Sequence, residues 1–378
     1  MKNLKILWGV CGIGMGHTYR QLPLLDTLAR DNRIVLFVYG ESERFYREHF
    51  SGNAKVDIVT VSVPFYVGDA NGLDFVATAE RMTASGIDHE AINLAALAKA
   101  QSLIGQPDLV VSDYEPISAR YAYAHNALLV TIDQQSKYLV GDFSRPLAGQ
   151  TALDEVARLR LFFPKAAARI ACSFFNVAKK SAAGEKVLIC PPIIKPAIVE
   201  MKQRRAATEQ TDSVLVYISS QREFVQEIAD VLAVLAAVPQ YKFHVFVKEL
   251  PTALATESPA NVKLRRHGDP RFLDVLAQCR GIVTTGGHTL VSEAMYLGLP
   301  AYLIPLPVYE QQMNAHVVGE NGFGICASAI TEPLLSDFLA GLSGFAARIK
   351  EDKKVLVRGS GEQRILSQLQ LLLKKSQC

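Results

Sequence analysis

Two clusters in this 378-residue chain join reactive side chains to glycine-rich backbone. The first is Cys11-Gly12-Ile13-Gly14-Met15-Gly16-His17, which follows an apolar run over 4–10 and leads into a helix expected over 18–30. Gly12, Gly14 and Gly16 let a second molecule approach the backbone closely, so this loop is expected to receive an acceptor. An imidazole at a helix start has its charged form disfavoured by the dipole, which predicts that His17 stays neutral and serves as a general base near neutral pH. Asp113, at the end of the apolar run 109–112, is the group to orient that imidazole or stabilise its protonated form, with Glu115 as the substitute. Asp133, ahead of Gln134 and Gln135, is expected to line the acceptor side as well. A capping histidine and a turn aspartate within Asp113-Tyr114-Glu115-Pro116 are the plain alternatives.

The second cluster lies between 281 and 324. An apolar strand, 281–284, empties into Thr285-Gly286-Gly287-His288-Thr289 and then a helix carrying Glu293. Glycines that let backbone approach an anion, followed by the unpaired N–H groups of a first helical turn, suit a phosphate. Gln311 and Gln312 open the next helix with amide side chains suited to hydroxyls, so the ligand is expected to be anionic at one end and hydroxyl-rich at the other. Ser219 and Ser220, after the strand 214–218, are placed to add hydroxyl donors to the same phosphates, or to cap the helix behind them. The Gly12-x-Gly14-x-Gly16 spacing also touches the dinucleotide fingerprint. Its third glycine comes one residue early, and no acidic residue ends the second strand, which argues against a nicotinamide cofactor.

Positioning these groups calls for alternating strands and helices, and the pattern supplies them. Short apolar runs at 4–10, 34–39, 56–61, 109–112, 128–132, 170–173 and 187–189 are separated by helix-length segments, as in a parallel sheet covered on both faces. A second series follows at 214–218, 241–247, 262–264, 282–284 and 301–304. The expected organisation is α/β, with a first doubly wound domain over 1–195, a linker over 196–212, a second domain over 213–360 and a final helix over 361–378. Ligands of such sheets bind at the carboxyl ends of strands where the strand order reverses, which is where both clusters fall.

Composition agrees with a globular enzyme: 49% of residues are hydrophobic, and 40 Lys+Arg stand against 37 Asp+Glu, a balance without the basic footprint of a nucleic-acid binder. Six scattered cysteines without C-x-x-C spacing read as mostly buried free thiols of a reducing cytoplasm. No apolar run reaches membrane-helix length and no signal peptide precedes the first strand, so a cytoplasmic protein is expected. One segment, 159–175, mixes basic residues with Leu161, Phe162, Phe163, Phe174 and Phe175; core packing is the favoured reading and peripheral contact at the inner face of a membrane the alternative.

The order Thr285-Gly286-Gly287, Leu290, Ser292-Glu293, Gly298-Leu299-Pro300, Pro305, Gln311-Gln312, Asn314-Ala315 closely resembles the donor half of GT-B glycosyltransferases, in particular the muropeptide N-acetylglucosaminyltransferase (MurG-like) branch. The resemblance implies two Rossmann-like domains with a cleft between them and a nucleotide-sugar co-substrate, a UDP-sugar by analogy, with no other cofactor. It implies that Gly286 and Gly287 hold the diphosphate, Glu293 the ribose, Gln311 and Gln312 the sugar, and that Phe272 lies near the base; His288 and Thr289 are candidates at the phosphate. It also implies that the last helix packs back on the first domain. Without any D-x-D triplet, metal-independent transfer is expected, and one base acting in one displacement implies inversion. The acceptor, whether a glycan, a lipid-linked sugar or a small molecule, is left open. Gly14-Met15-Gly16-His17-Thr18-Tyr19-Arg20 also resembles a segment of nucleotide-sugar hydrolases. Hydrolysis, 2-epimerisation and non-catalytic nucleotide-sugar binding are the rival functions.

Overall fold

The computed structural model describes residues 1–69, 71–180, 185–205, 210–220, 224–250 and 258–376. The chain forms two compact units, one of Met1–Ser173, Val177–Lys195 and Gly359–Cys378, the other of Phe174–Asn176 and Pro196–Arg358.

Among the described residues the main sheet of the first unit has seven strands: β1 (Lys5–Val10), β2 (Arg33–Val38), β3 (Val56–Thr60), β4 (Leu109–Asp113), β5 (Leu129–Asp133), β6 (Ala168–Cys172) and β7 (Val187–Cys190). All pair in parallel, in the order 3-2-1-4-5-6-7. The central strands are apolar at nearly every position because helices cover both faces, and side chains alternate between two cores. Ile6, Trp8 and Val10 enter one core, and Leu7 the other. The order reverses between β1 and β4, and their register sets Val10 beside Asp113. That register carries Asp113 to the carboxyl end of the sheet.

The final helix, Glu362–Ser376, belongs to this unit. Ile365, Leu369 and Leu373 recur at four-residue intervals, one face of a helix, and bury themselves in the core that holds Trp8, Leu24 and Leu25.

The second unit repeats the plan with β8 (Ser213–Tyr217), β9 (Lys242–Val247), β10 (Val262–Arg266), β11 (Gly281–Thr284), β12 (Ala301–Leu303) and β13 (Gly324–Cys326) in the parallel order 10-9-8-11-12-13. Its reversal falls between β8 and β11, where Tyr217 pairs with Thr284.

One reading of the sequence needs correction. The stretch expected as linker contains a helix, Pro196–Arg205, with Ile198 and Met201 buried. Pro196 stands in its first turn and Lys202, Arg204 and Arg205 in its last, placements that favour a helix. Arg205 ends it by donating Nη1 to Ala277 O at 2.7 Å and Nη2 to Cys279 O at 2.6 Å. Over 159–175 the favoured reading, core packing, describes the segment: Phe162, Phe163, Phe174 and Phe175 are buried and Leu161 is exposed. Cys326 is exposed, whereas Cys11, Cys172, Cys190 and Cys279 are buried as expected. No helix among the described residues is long and apolar enough to cross a membrane.

Candidate active site

In the first unit the helix Met15–Leu28 starts three residues earlier than expected, so His17 stands inside its first turn. Gly14 caps it at φ 68°, a left-handed conformation that a side chain would strain. Gly12 is fixed by space instead: a Cβ there would lie 1.8 Å from Tyr39 O. Gly16 sits in the helix's first turn.

The structure brings His17 and Asp113 together. His17 Nδ1 is 3.0 Å from Asp113 Oδ1, and Asp113 is fully buried. Sequence reasoning missed two further members. Arg20 Nε donates to Asp113 Oδ2 at 3.1 Å and Arg20 Nη2 to Oδ1 at 2.6 Å, and Gln21 Nε2 donates to Oδ2 at 2.8 Å. The signal was present as i, i+3 and i, i+4 spacing from His17, which places all three on the helix face toward β4.

This setting reverses the expected titration of His17. Burial opposes its charged form, but the Cys11 sulfur and Asp113 outweigh burial, with Arg20 opposing them, and the net direction is upward from 6.5. The dipole argument fails on magnitude. A helix N-terminus contributes about 0.3–1 kcal/mol, while a carboxylate in contact contributes about 4 kcal/mol at an effective dielectric near 20. Asp113 moves the other way, down to about 2, because Arg20 and His17 outweigh its burial.

Glu115 and Asp133 are not brought to the imidazole by hydrogen bonds. Glu115 caps the helix Pro116–Ala124, accepting from Ile117 N at 2.6 Å and Ser118 N at 2.8 Å, and burial pushes its carboxyl up to about 7. Asp133 accepts from Ser136 N at 2.6 Å and Ser136 Oγ at 2.8 Å at the start of a short 3-10 turn. Both carboxylates are engaged locally, Glu115 by two backbone N–H groups and Asp133 by the backbone N–H and hydroxyl of Ser136.

In the second unit the two loops at the strand reversal converge, with Ser219 Oγ 2.6 Å from Thr285 Oγ1. Ser220 follows, half-buried, and Gln221 lies outside the described residues. Gly286 has φ 90°, and a Cβ on it would lie 3.2 Å from Gln311 O. Gly287 caps the helix His288–Leu297 without a side-chain acceptor, and a Cβ there would meet nothing within 4 Å. The first turn of this helix carries no acidic residue, and its N–H groups point toward the glycine loop as at any helix start. His288 is buried, its ring 5.8 Å from that of Phe174, and Thr289 is half-buried beside it. Glu293 is buried on the same helix.

Gln311 and Gln312 brace the preceding turn: Gln311 Oε1 accepts from Leu306 N at 3.1 Å and Gln312 Nε2 donates to Leu306 O at 3.1 Å. Asn314, to which sequence reasoning gave no role, donates to Gly286 O at 2.9 Å and so pins the glycine loop. Phe272 packs edge-on against Tyr217 and Phe246. Tyr217 also stacks on His267, with centroids 4.3 Å apart, an aromatic pair not expected from the sequence because its members lie 50 residues apart on separate strand ends.

Residues 4–343 match the family described as Glycosyl transferase family 1. The chain belongs to this glycosyltransferase family. It is similar over 97% of its length to an uncharacterized glycosyltransferase of Methanosarcina mazei, at 23% identity and covering 95% of that protein. A 123-residue stretch, 31% of either chain, is 29% identical to the NDP-glycosyltransferase YjiC of Bacillus subtilis. Among solved structures, LpCGTa in complex with UDP superposes with a TM-score of 0.63 at 15% identity, covering 98% of this chain and 99% of that one. SnogD of Streptomyces nogalater does so with a TM-score of 0.60 at 18% identity, covering 98% and 100%. The fold of this family 1 enzyme is thus GT-B, with two Rossmann-like α/β units.

Proposed function

We propose that the protein transfers a sugar from a UDP-sugar to an acceptor hydroxyl with inversion and without a metal. The observation that carries this reading is the contact between His17 Nδ1 and Asp113 at the switch point of the first sheet, in a chain of this family. With Nδ1 engaged, Nε2 is the nitrogen left to take the acceptor proton, and Asp113 stabilises the imidazolium that forms. In the second unit the Gly286-Gly287 loop and the helix start behind it, free of acidic residues in its first turn, suit the departing diphosphate. Glu293 suits the ribose hydroxyls and the Tyr217–His267–Phe272 group suits a flat base. Gln311 and Gln312, held against the Pro305–Leu306 turn, are the candidates for sugar hydroxyls. The residues shared with the muropeptide branch and the UDP complexes among the structural relatives support UDP as the nucleotide.

Incubation of the protein with UDP-sugars and a panel of acceptor alcohols, with products resolved by mass spectrometry, tests this reading. A glycosylated acceptor of inverted anomeric configuration is expected. Free sugar alone, irrespective of acceptor, identifies a hydrolase; an epimerised donor identifies an epimerase; binding without turnover identifies a sensor.

Two further results are expected of the donor half. Glu293→Ala should weaken UDP binding by about 1–3 kcal/mol, the cost of leaving buried hydroxyls without an acceptor, and calorimetry showing unchanged affinity removes Glu293 from the site. Turnover should also persist in excess EDTA, because loop N–H groups and the helix dipole neutralise the diphosphate. Loss of activity on chelation, restored by Mg²⁺ or Mn²⁺, overturns metal independence.

A further inference from the structure

Arg20 does more than pair with Asp113. Its Nη2 nitrogen, 2.6 Å from Asp113 Oδ1 and 2.9 Å from Oδ2, is also 2.7 Å from His17 Nδ1. The side chain is 4% exposed and one turn along the same helix from His17, so it has little freedom to move away. A guanidinium N–H at that distance is attractive only toward a nitrogen lone pair. Asp113 Oδ1, 3.0 Å from the same Nδ1, is attractive only toward an N–H. Arg20 and Asp113 therefore compete for the protonation state of one atom.

The two outcomes differ in chemistry. When Nδ1 holds the proton and donates it to Asp113, Nε2 bears a lone pair and can accept a proton from a hydroxyl. When Nδ1 accepts from Arg20, the neutral ring holds its proton on Nε2 and cannot act as base there. We infer that Arg20 is a positioning residue that sets which nitrogen of neutral His17 carries the proton and limits how readily the ring takes a second one. This inference rests on the reading of His17 as the base.

The surroundings leave Arg20 as the cation able to do this. From the loop after β1, Cys11 faces His17, and the Cys11 sulfur lies 3.2 Å from Tyr39 Oη. From β4 comes Asp113, and beyond it the Tyr114 ring, stacked on His17 at 6.3 Å with its hydroxyl donating to Glu155 at 2.5 Å. Asp133 of β5 and Cys172 of β6 act on Arg20. Tyr46, whose hydroxyl donates to Thr18 O at 2.9 Å, is influenced by both Asp113 and Arg20. Every titratable neighbour of the ring named here is negative when charged, except Arg20. Removing Arg20 leaves burial alone against Asp113 and Cys11, which both favour the imidazolium.

The test is NMR of the His17 ring nitrogens, assigned by comparison with His17→Ala, alongside pH–rate profiles of wild type, Arg20→Gln and Arg20→Lys. In Arg20→Gln the His17 titration should move to higher pH by about one unit or more, lowering the neutral fraction at pH 7 about tenfold. The rate limb should move with it, and turnover should recover as pH rises. Arg20→Lys keeps the charge beside Asp113 but loses the fork. It should titrate closer to wild type than Arg20→Gln, while the neutral ring shifts its proton toward Nδ1. A folded Arg20→Gln with wild-type titration and ring-nitrogen shifts overturns the inference; if that variant does not fold, wild-type ring-nitrogen shifts in Arg20→Lys overturn it equally. Ring signals that shift as expected while the rate limb stays in place support the Arg20 assignment and overturn His17 as base.

Discussion

Replacing His17 with alanine is expected to reduce turnover about 10²–10⁴-fold, the usual contribution of a positioned general base, while UDP affinity stays unchanged. The separation follows from where the groups lie. His17 belongs to the first unit, and the loops suited to the diphosphate, Ser219-Ser220 and Thr285-Gly286-Gly287, belong to the second. The wild-type pH profile carries the same assignment. Base catalysis needs the neutral ring, and the contacts of His17 raise its titration above 6.5. The rate should therefore climb with pH through a limb above that value and fall away below it. His17→Ala should lose this limb altogether. Steady-state kinetics across pH, with calorimetry of UDP on both proteins, reads both effects. Normal turnover in the mutant, or loss of UDP binding together with activity, would identify His17 as a cap or a phosphate ligand.

The sign of that pH dependence marks where sequence reasoning stops. That His17 opens a helix is legible in Gly14-Met15-Gly16-His17, and that Asp113 ends a strand is legible in the apolar run before it. Pairing them across 96 residues follows from the strand order, since a sheet reversing between β1 and β4 sets those two ends side by side. The sign of the His17 shift needs distances. A dipole and a neighbouring anion act in opposite directions, and only the placement of the Cys11 sulfur and Asp113 around the imidazole decides between them. Arg20 shows the same limit, because a cation three residues along a helix is as often solvated as buried, and nothing local to Thr18-Tyr19-Arg20 says that it folds onto Asp113.

Helix caps were the other blind spot. Glu115 and Asp133 have the type and position of catalytic carboxylates, yet each turns to N–H groups two or three residues onward. Acidic residues just past a strand are drawn equally by a substrate and by the next helix start, and only the rotamer separates the two. In the second unit the legible part is backbone. The helix start after two glycines is legible from residue type, whereas which glycine turns left-handed, Gly286 at φ 90° and not Gly287 at φ −60°, and the bracing of Leu306 by both glutamines depend on the path of the loop.

Asp113→Asn is expected to cost the fold about 3–5 kcal/mol at neutral pH, the penalty for leaving a buried charge without its partner. Asp113 accepts from His17, Arg20 and Gln21 at once, and Arg20 is 4% exposed. The asparagine amide preserves the shape but removes the negative charge, and it turns one acceptor into a donor aimed at Arg20 or Gln21. The loss should depend on pH in a defined direction. The folded-state value of Asp113 is about 2, depressed from 3.8, so its linked contribution is present above 3.8 and disappears as pH falls through about 2. That linkage is worth about 2–3 kcal/mol. Urea denaturation of both proteins at pH 7 and at pH 3 should show a wide gap in stability at neutrality that narrows in acid. A gap of equal size at both values would place the cost in packing rather than charge. No gap at neutrality would mean that Asp113 is not the counter-ion of Arg20 and His17. The same substitution removes a group that holds a proton on His17. Whatever activity Asp113→Asn retains should therefore rise through a limb at lower pH than in the wild type, which separates the carboxylate's effect on the base from its effect on the fold.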